Sequence, residues 1–287
     1  MTVDEQLLYE SRVKLRQAVI AGLAALCLLA AAVLQLAGPH TKVSELTLDL
    51  IYAHKRFPLD VIGGVINGIG LTALAVTLSW LFGATRARNP GAGSYMKWLA
   101  LAGAVIAAIV AILYAIVIAI KANDFVTQGN QTYQEAKHLT NGGFLVVIPV
   151  IGQAATLVLA MGFVLIAFQA MRVGLLTKFM GYLGIFTGVL VLFPIGSPVP
   201  IVQAFWLLAL AYLLSGRWPT GVPPAWRSGR AEPWPSSAEM REQRIKAGAG
   251  GGRAKSAPTP APQAVGAAAP AAKSSPAGAK RKRKRRK

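Results

Sequence analysis

The sequence predicts an all-α integral membrane protein, a bundle of six transmembrane helices followed by a disordered basic C-terminal tail. Three observations predict it. Charged residues make up only 14% of the 287, against about 25% in a typical soluble domain, and the mean hydropathy is +0.49. Long runs without any ionisable residue recur from Ala18 to Leu214. The charge is also segregated: the net charge is +19, and residues 216–287 alone carry 17 Lys/Arg against 3 Asp/Glu. A soluble globular domain is excluded by this composition, and a change of solvent is predicted near Leu214.

An uncharged run of about 20 residues, rising about 1.5 Å per residue, is long enough to cross a hydrocarbon core of about 30 Å. Residues 1–17, with Arg12, Lys14 and Arg16, read as a cytoplasmic N-terminal segment. The apolar stretch Ala18–Ala37 has 20 residues, longer than the roughly 7–15 of a signal-peptide core, so it reads as span 1 (18–38). The lone cysteine, Cys27, lies within it and reads as a small buried hydrophobe. Three further runs give span 2 (59–82), span 3 (98–120) and span 4 (143–170). The last run, Phe179–Gly216, holds 38 residues, about 57 Å of helix. Pro194, Pro198 and Pro200 interrupt it, and backbone groups freed by proline need water or protein partners. It therefore divides into span 5 (174–193) and span 6 (200–216), which completes a transmembrane domain at 18–216. The intervening segments 40–58 and 121–142 are longer than a turn requires, and each has room for a short helix on the membrane surface.

Orientation follows from the Lys/Arg content of the short loops. With the N-terminus inside, Arg12, Lys14, Arg16, Arg86, Arg88, Lys97, Arg172, Lys178 and the tail face inward. Lys42, Lys55, Arg56, Lys121 and Lys137 face outward. The expected location is the cell (inner) membrane, with both termini cytoplasmic.

Past Gly216 the chain divides again. Residues 217–246 read as an irregular juxtamembrane strap followed by a short polar helix. In the strap, Trp218, Trp226 and Trp234 recur among Pro and Gly, a pattern that suits indoles at headgroup level. Ser236 and Glu239 form a capping-box pattern opening the polar helix. Residues 247–287 read as a disordered Ala/Gly/Pro linker ending in Lys280, Arg281, Lys282, Arg283, Lys284, Arg285, Arg286 and Lys287. The linker from Ala247 to Ala279 spans roughly 30 Å as a flexible coil. Eight adjacent cations repel one another and seek a polyanion. Anionic headgroups supply up to ~1 kcal/mol per residue near the bilayer. RNA competes through phosphate contacts alone, because no aromatic residue interleaves the octet to stack on bases.

Within the spans, Gly64 and Gly68 in span 2 and Gly181, Gly184 and Gly188 in span 5 fall at helix-packing intervals. The amides Asn67, Gln153 and Gln203 lie in the outer halves of spans 2, 4 and 6. They read either as interhelical hydrogen-bonding groups or as the lining of a solute pathway. No Asp, Glu, Lys, Arg or His occupies the centre of any span, whereas proton-coupled carriers, pumps and intramembrane hydrolases need an ionisable group at depth. His40, His54 and His138 fall in the predicted outer loops at spacings that match no zinc template.

Two stretches, RVGLLTKFMGYLGIFTGVL (172–190) and GRWPTGVPPAWRSGRAEPWPSSAEMREQR (216–244), resemble an uncharacterised family of multi-span membrane proteins from high-GC Gram-positive bacteria. The resemblance covers about a quarter of the chain, and it implies location and no activity.

Together these readings predict a non-enzymatic multi-pass protein, without cofactor or metal, embedded in the lipid bilayer. Its basic tail is expected to bind anionic lipid headgroups, an acidic partner or ribosomal RNA. The alternative is a carrier or channel for a neutral or apolar solute.

Overall fold

A computed structural model describes residues 2–39, 45–192, 200–219, 221–234, 241, 242 and 245. The chain divides into two compact units, Met1–Pro235 and Ser236–Lys287. In the second unit Arg241, Glu242 and Ile245 are helical. Most of the Ser236 helix, the linker and the octet Lys280–Lys287 lie outside the described residues, as do Lys42, His40 and residues 193–199 of FPIGSPVP.

The first unit is all-helical among its described residues. Its elements are α1 (Val3–Leu36), α2 (Leu46–Lys55), α3 (Leu59–Arg88), α4 (Tyr95–Thr127), α5 (Tyr133–Asn141), α6 (Phe144–Arg172), α7 (Lys178–Leu192), α8 (Ile201–Leu214) and the single turn α9 (Ala225–Ser228). Four of these, α1, α3, α4 and α6, are long and apolar enough to cross a membrane. Helices α7 and α8 are apolar but shorter, with 15 and 14 residues.

Helix α1 starts fifteen residues before the predicted span, because its N-terminus carries its own cap. The Thr2 hydroxyl accepts from Glu5 N at 3.3 Å, and the Glu5 carboxylate accepts from Thr2 N at 2.8 Å. This reciprocal pair satisfies two donors that a helix start otherwise leaves unpaired. Nothing interrupts the helix until Gly38, at φ +93°, and Pro39. With 34 residues it extends about 51 Å, well beyond a hydrocarbon core. Its inward face alternates by three and four residues through Leu7, Glu10, Lys14, Gln17, Ala21, Ala24, Leu28 and Ala31. A coiled-coil seam has that spacing, and here it passes unbroken from alanines into charged residues.

The helices form a ring in the order α1, α3, α4, α6, α7, α8 and back to α1, with α3 also touching α6 across it. Small residues set its dimensions. Gly63 and Gly70 of α3 face Ala31, Leu34, Cys27 and Leu28 of α1, while Gly64 and Gly68 face Ala108, Ala111, Ile112 and Ala115 of α4. The α4–α6 crossing is the tightest. A Cβ on Gly103 would lie 2.7 Å from Leu159 Cα, and one on Gly162 would lie 2.7 Å from Ala100 Cα. Gly181, Gly184 and Gly188 seat α7 against Met171, Ala167 and Val164 of α6, with Trp206 of α8 also at Gly184. Close packing of this kind replaces the hydrophobic drive that lipid cannot supply.

Both long loops contain a helix. Leu50 and Ala53 of α2, Ala122 and Phe125 of α4 and Ala136 of α5 form a small core of their own at the end of the bundle where α2 and α5 lie. The predicted start of span 5 at residue 174 is displaced, since α7 begins at Lys178 behind Thr177, whose hydroxyl accepts from Met180 N at 3.2 Å. Residues 173–177 form a buried turn instead, with Leu175 and Leu176 fully enclosed.

Candidate functional site

The strap is part of the folded unit, which continues to Pro235. It lies against the end of the ring where α1, α4 and α7 begin and α3, α6 and α8 finish. Trp226, one of the three strap indoles, is only 8% exposed. Its ring stacks on Trp80 of α3, with centroids 5.4 Å apart and planes at 12°. Its indole Nε1 donates to Leu175 O at 2.9 Å in the α6–α7 turn. Burying an indole requires such a partner for its N–H, and the 173–177 turn supplies it. Trp218 packs beside the same core, 6.0 Å from Tyr212, and Trp234 is half-buried.

Arg88, the last residue of α3, is the centre of the arrangement. Its side chain is fully buried, and all five guanidinium donors are used. Nη1 and Nη2 form a fork on Glu10 of α1, each at 2.7 Å. Nη1 also donates to Ala84 O at 2.9 Å, while Nε and Nη2 donate to Ala225 O at 3.0 and 2.9 Å. Glu10, only 4% exposed, also accepts from Gln6 Nε2 at 2.8 Å. A buried ion pair is tolerable when its remaining hydrogen-bonding capacity is filled in this way. The pair thereby joins the N-terminal turns of α1, the end of α3 and the strap.

Two cations face the buried indole. Arg88 Cζ lies 5.1 Å and Lys14 Nζ 4.9 Å from the Trp226 ring centroid, within the range of a cation–π contact. Lys14 precedes the apolar stretch that opens at Ala18 and so stands outside the membrane-crossing part of α1. Desolvation holds its ammonium pKa below the ordinary 10.5, Glu10 pulls it upward, and Arg88 lowers it further.

Glycines let the strap approach. Gly174, at φ +80°, sits so close to Glu232 O that a side chain there would collide, and Glu232 N donates to Val173 O at 3.2 Å. A Cβ on Gly229, at φ +66°, would lie 2.6 Å from Val3 Cγ1 and 3.3 Å from Leu7 Cγ. The first two turns of the α1 seam are therefore lined by the strap.

The other residues predicted from sequence are dispersed. Asn67 is half-buried on α3, Gln153 is exposed on α6, and Gln203 is half-buried on α8. Helix α8 packs chiefly on α1 and next on α7, so these three amides form no common hydrogen-bonded cluster. His54 is half-buried on α2 and His138 exposed on α5. Among the described residues no three His, Cys, Asp or Glu converge.

Sequence reading counted Arg88 as a topogenic charge and gave Glu10 no role. One signal could have pointed to Glu10, though not to Arg88: the four-three stripe of Ala21, Ala24, Leu28 and Ala31, extended backward, lands on Gln17, Lys14 and Glu10. No protein family model, characterised protein or solved structure matches this chain.

Proposed function

We propose that the chain is a non-catalytic, six-span cell-membrane protein with cytoplasmic termini whose basic tail, Lys280–Lys287, tethers it to anionic lipid. The observation that carries this reading is the unbroken run of eight cations from Lys280 to Lys287. Each of these adjacent cations has up to ~1 kcal/mol to gain from anionic headgroups near a bilayer. The Arg88–Glu10–Ala225 clamp holds the strap itself on the bundle. Taking α7 and α8 as the fifth and sixth crossings keeps α1 and the strap on one side. Arg12, Arg16, Arg86, Lys97, Arg172 and Lys178 belong to helix ends on that side, which supports a cytoplasmic assignment by the positive-inside rule.

The test uses the full chain in zwitterionic nanodiscs, mixed with phosphatidylglycerol vesicles and compared with a chain ending at Ala279. The full chain should associate, with affinity falling steeply as salt rises past the screening range. The shortened chain should bind at least about tenfold less, since the octet has up to ~1 kcal/mol per cation to lose. Equal binding by both chains, or preference of the full chain for RNA over vesicles, would overturn the lipid tether.

A further inference from the structure

We propose that a groove between α2, α3 and α4, at the end opposite the strap, binds one membrane amphiphile: an acyl chain bearing an uncharged, hydrogen-bonding head. The groove encloses about 340 Å³, within the roughly 300–1,000 Å³ of small-molecule sites. Ile116, Ala119 and Ile120 of α4 form one wall, and Val61 of α3 with Phe57 of the α2–α3 turn the other. His54 of α2 and Asn123 of α4 complete the lining.

The lining is graded along α4. Ile116 and Asn123 are seven positions apart, about 10 Å of helix, so the apolar wall lies deeper in the span than the polar pair. Ile116 and Ile120 are 39% and 53% exposed, and Leu113, one turn further in, is 46% exposed. On a helix long and apolar enough to cross a membrane, that face meets hydrocarbon. The groove consequently opens sideways to lipid, and an alkyl chain is the occupant its apolar wall suits.

The head follows from charge. Among the described residues no Lys, Arg, Asp or Glu lines the groove. Beside Phe57 and Val61, Arg56 and Asp60 satisfy each other at 3.0 Å, and Lys121 and Asp124, beside Ile120 and Asn123 in sequence, are not part of the lining. Lys55 lies over the Tyr52 ring, 5.3 Å from its centroid. A phosphate would thus enter the groove without an arginine or lysine in its lining to receive it. An imidazole and a carboxamide together offer donors and acceptors to a hydroxyl or ester, which selects a glyceride-type head. This inference needs only that α4 lies in the bilayer and is independent of the tail.

The test is lipid titration of the purified full chain in mild detergent, followed by native mass spectrometry. The probes are dioleoylglycerol and dioleoylphosphatidylglycerol. One saturable dioleoylglycerol should bind. Ala119→Trp, which fills the groove, and Ile116→Trp, at its lipid-facing edge, should each abolish it, while Ile109→Trp, two turns deeper, should leave it unchanged. His54→Ala with Asn123→Ala should weaken dioleoylglycerol about tenfold, as expected from losing two hydrogen bonds. The proposal is overturned if the phospholipid binds as tightly as the glyceride. It is equally overturned if either groove-filling variant, with wild-type helix content by circular dichroism, still retains its lipid.

Discussion

Arg88 and Glu10 stand 78 positions apart in sequence and meet through two hydrogen bonds of 2.7 Å, and the carbonyl of Ala225 closes the same guanidinium. One side chain therefore joins three segments. Removing either charge leaves the other buried and unpaired, so Arg88→Met and Glu10→Gln should each cost about 3–5 kcal/mol. The double variant should fall well short of the sum, because the second change removes the stranded charge. Denaturant titration of the four proteins in one detergent checks this. Simple additivity would mean that the pair contributes nothing as a pair.

Trp226 fixes the strap through both its ring and its N–H. Trp226→Ala should weaken docking by about 3–5 kcal/mol, the usual cost of emptying a large aromatic site. Trp226→Phe keeps a ring against Trp80 but loses the bond to Leu175 O, so it should be intermediate. Limited trypsin digestion at Arg227 and Arg230 gives the readout: rapid cleavage in the Ala variant, slower in Phe, slowest in the native chain.

The glycines divide into required and free. Gly103 and Gly162 face backbone across the α4–α6 crossing, where no rotamer can relieve a clash, so alanine at either should cost about 1–3 kcal/mol. Gly174→Ala should be at least as harmful, because positive φ adds to the collision with Glu232. At Gly22 and Gly83 an added Cβ would meet nothing within 4 Å, so alanine there should be neutral or stabilising by up to about 1 kcal/mol. Thermal unfolding of the five single variants separates the two groups.

Topology is tested by reporters. A phosphatase active only outside the cytoplasm, fused after Lys287, should be silent, and one inserted at Gly142, between α5 and α6, should be active. The reverse pattern would invert the orientation, and activity at both sites would break the even number of crossings.

Hydropathy and spacing decide most of the membrane half. A run such as Trp98–Ile120 can satisfy its backbone in lipid only as a helix, and Gly64, Gly68, Gly181, Gly184 and Gly188 announce close contacts whichever neighbour provides them. The short helices α2 and α5 are legible only as loops with room to fold, because their stability comes from Leu50, Phe125 and Ala136 meeting one another. The start of α1 at Val3 is written locally in Thr2 and Glu5, yet hydropathy overlooks it, since a polar helix beyond the bilayer has no apolar run.

By itself, then, the sequence determined an all-helical chain with apolar spans, small-residue seams and a segregated positive charge, all properties of neighbouring residues. Tertiary structure alone decided which cation is buried. Among Arg12, Lys14, Arg16, Arg86 and Arg88, nothing local marks Arg88. It becomes the centre of the clamp because α1, α3 and the strap deliver Glu10 and the Ala225 carbonyl to its five donors at once. Desolvating a guanidinium is tolerable only where every partner arrives together, and partners drawn from three distant segments have no signature in any one of them.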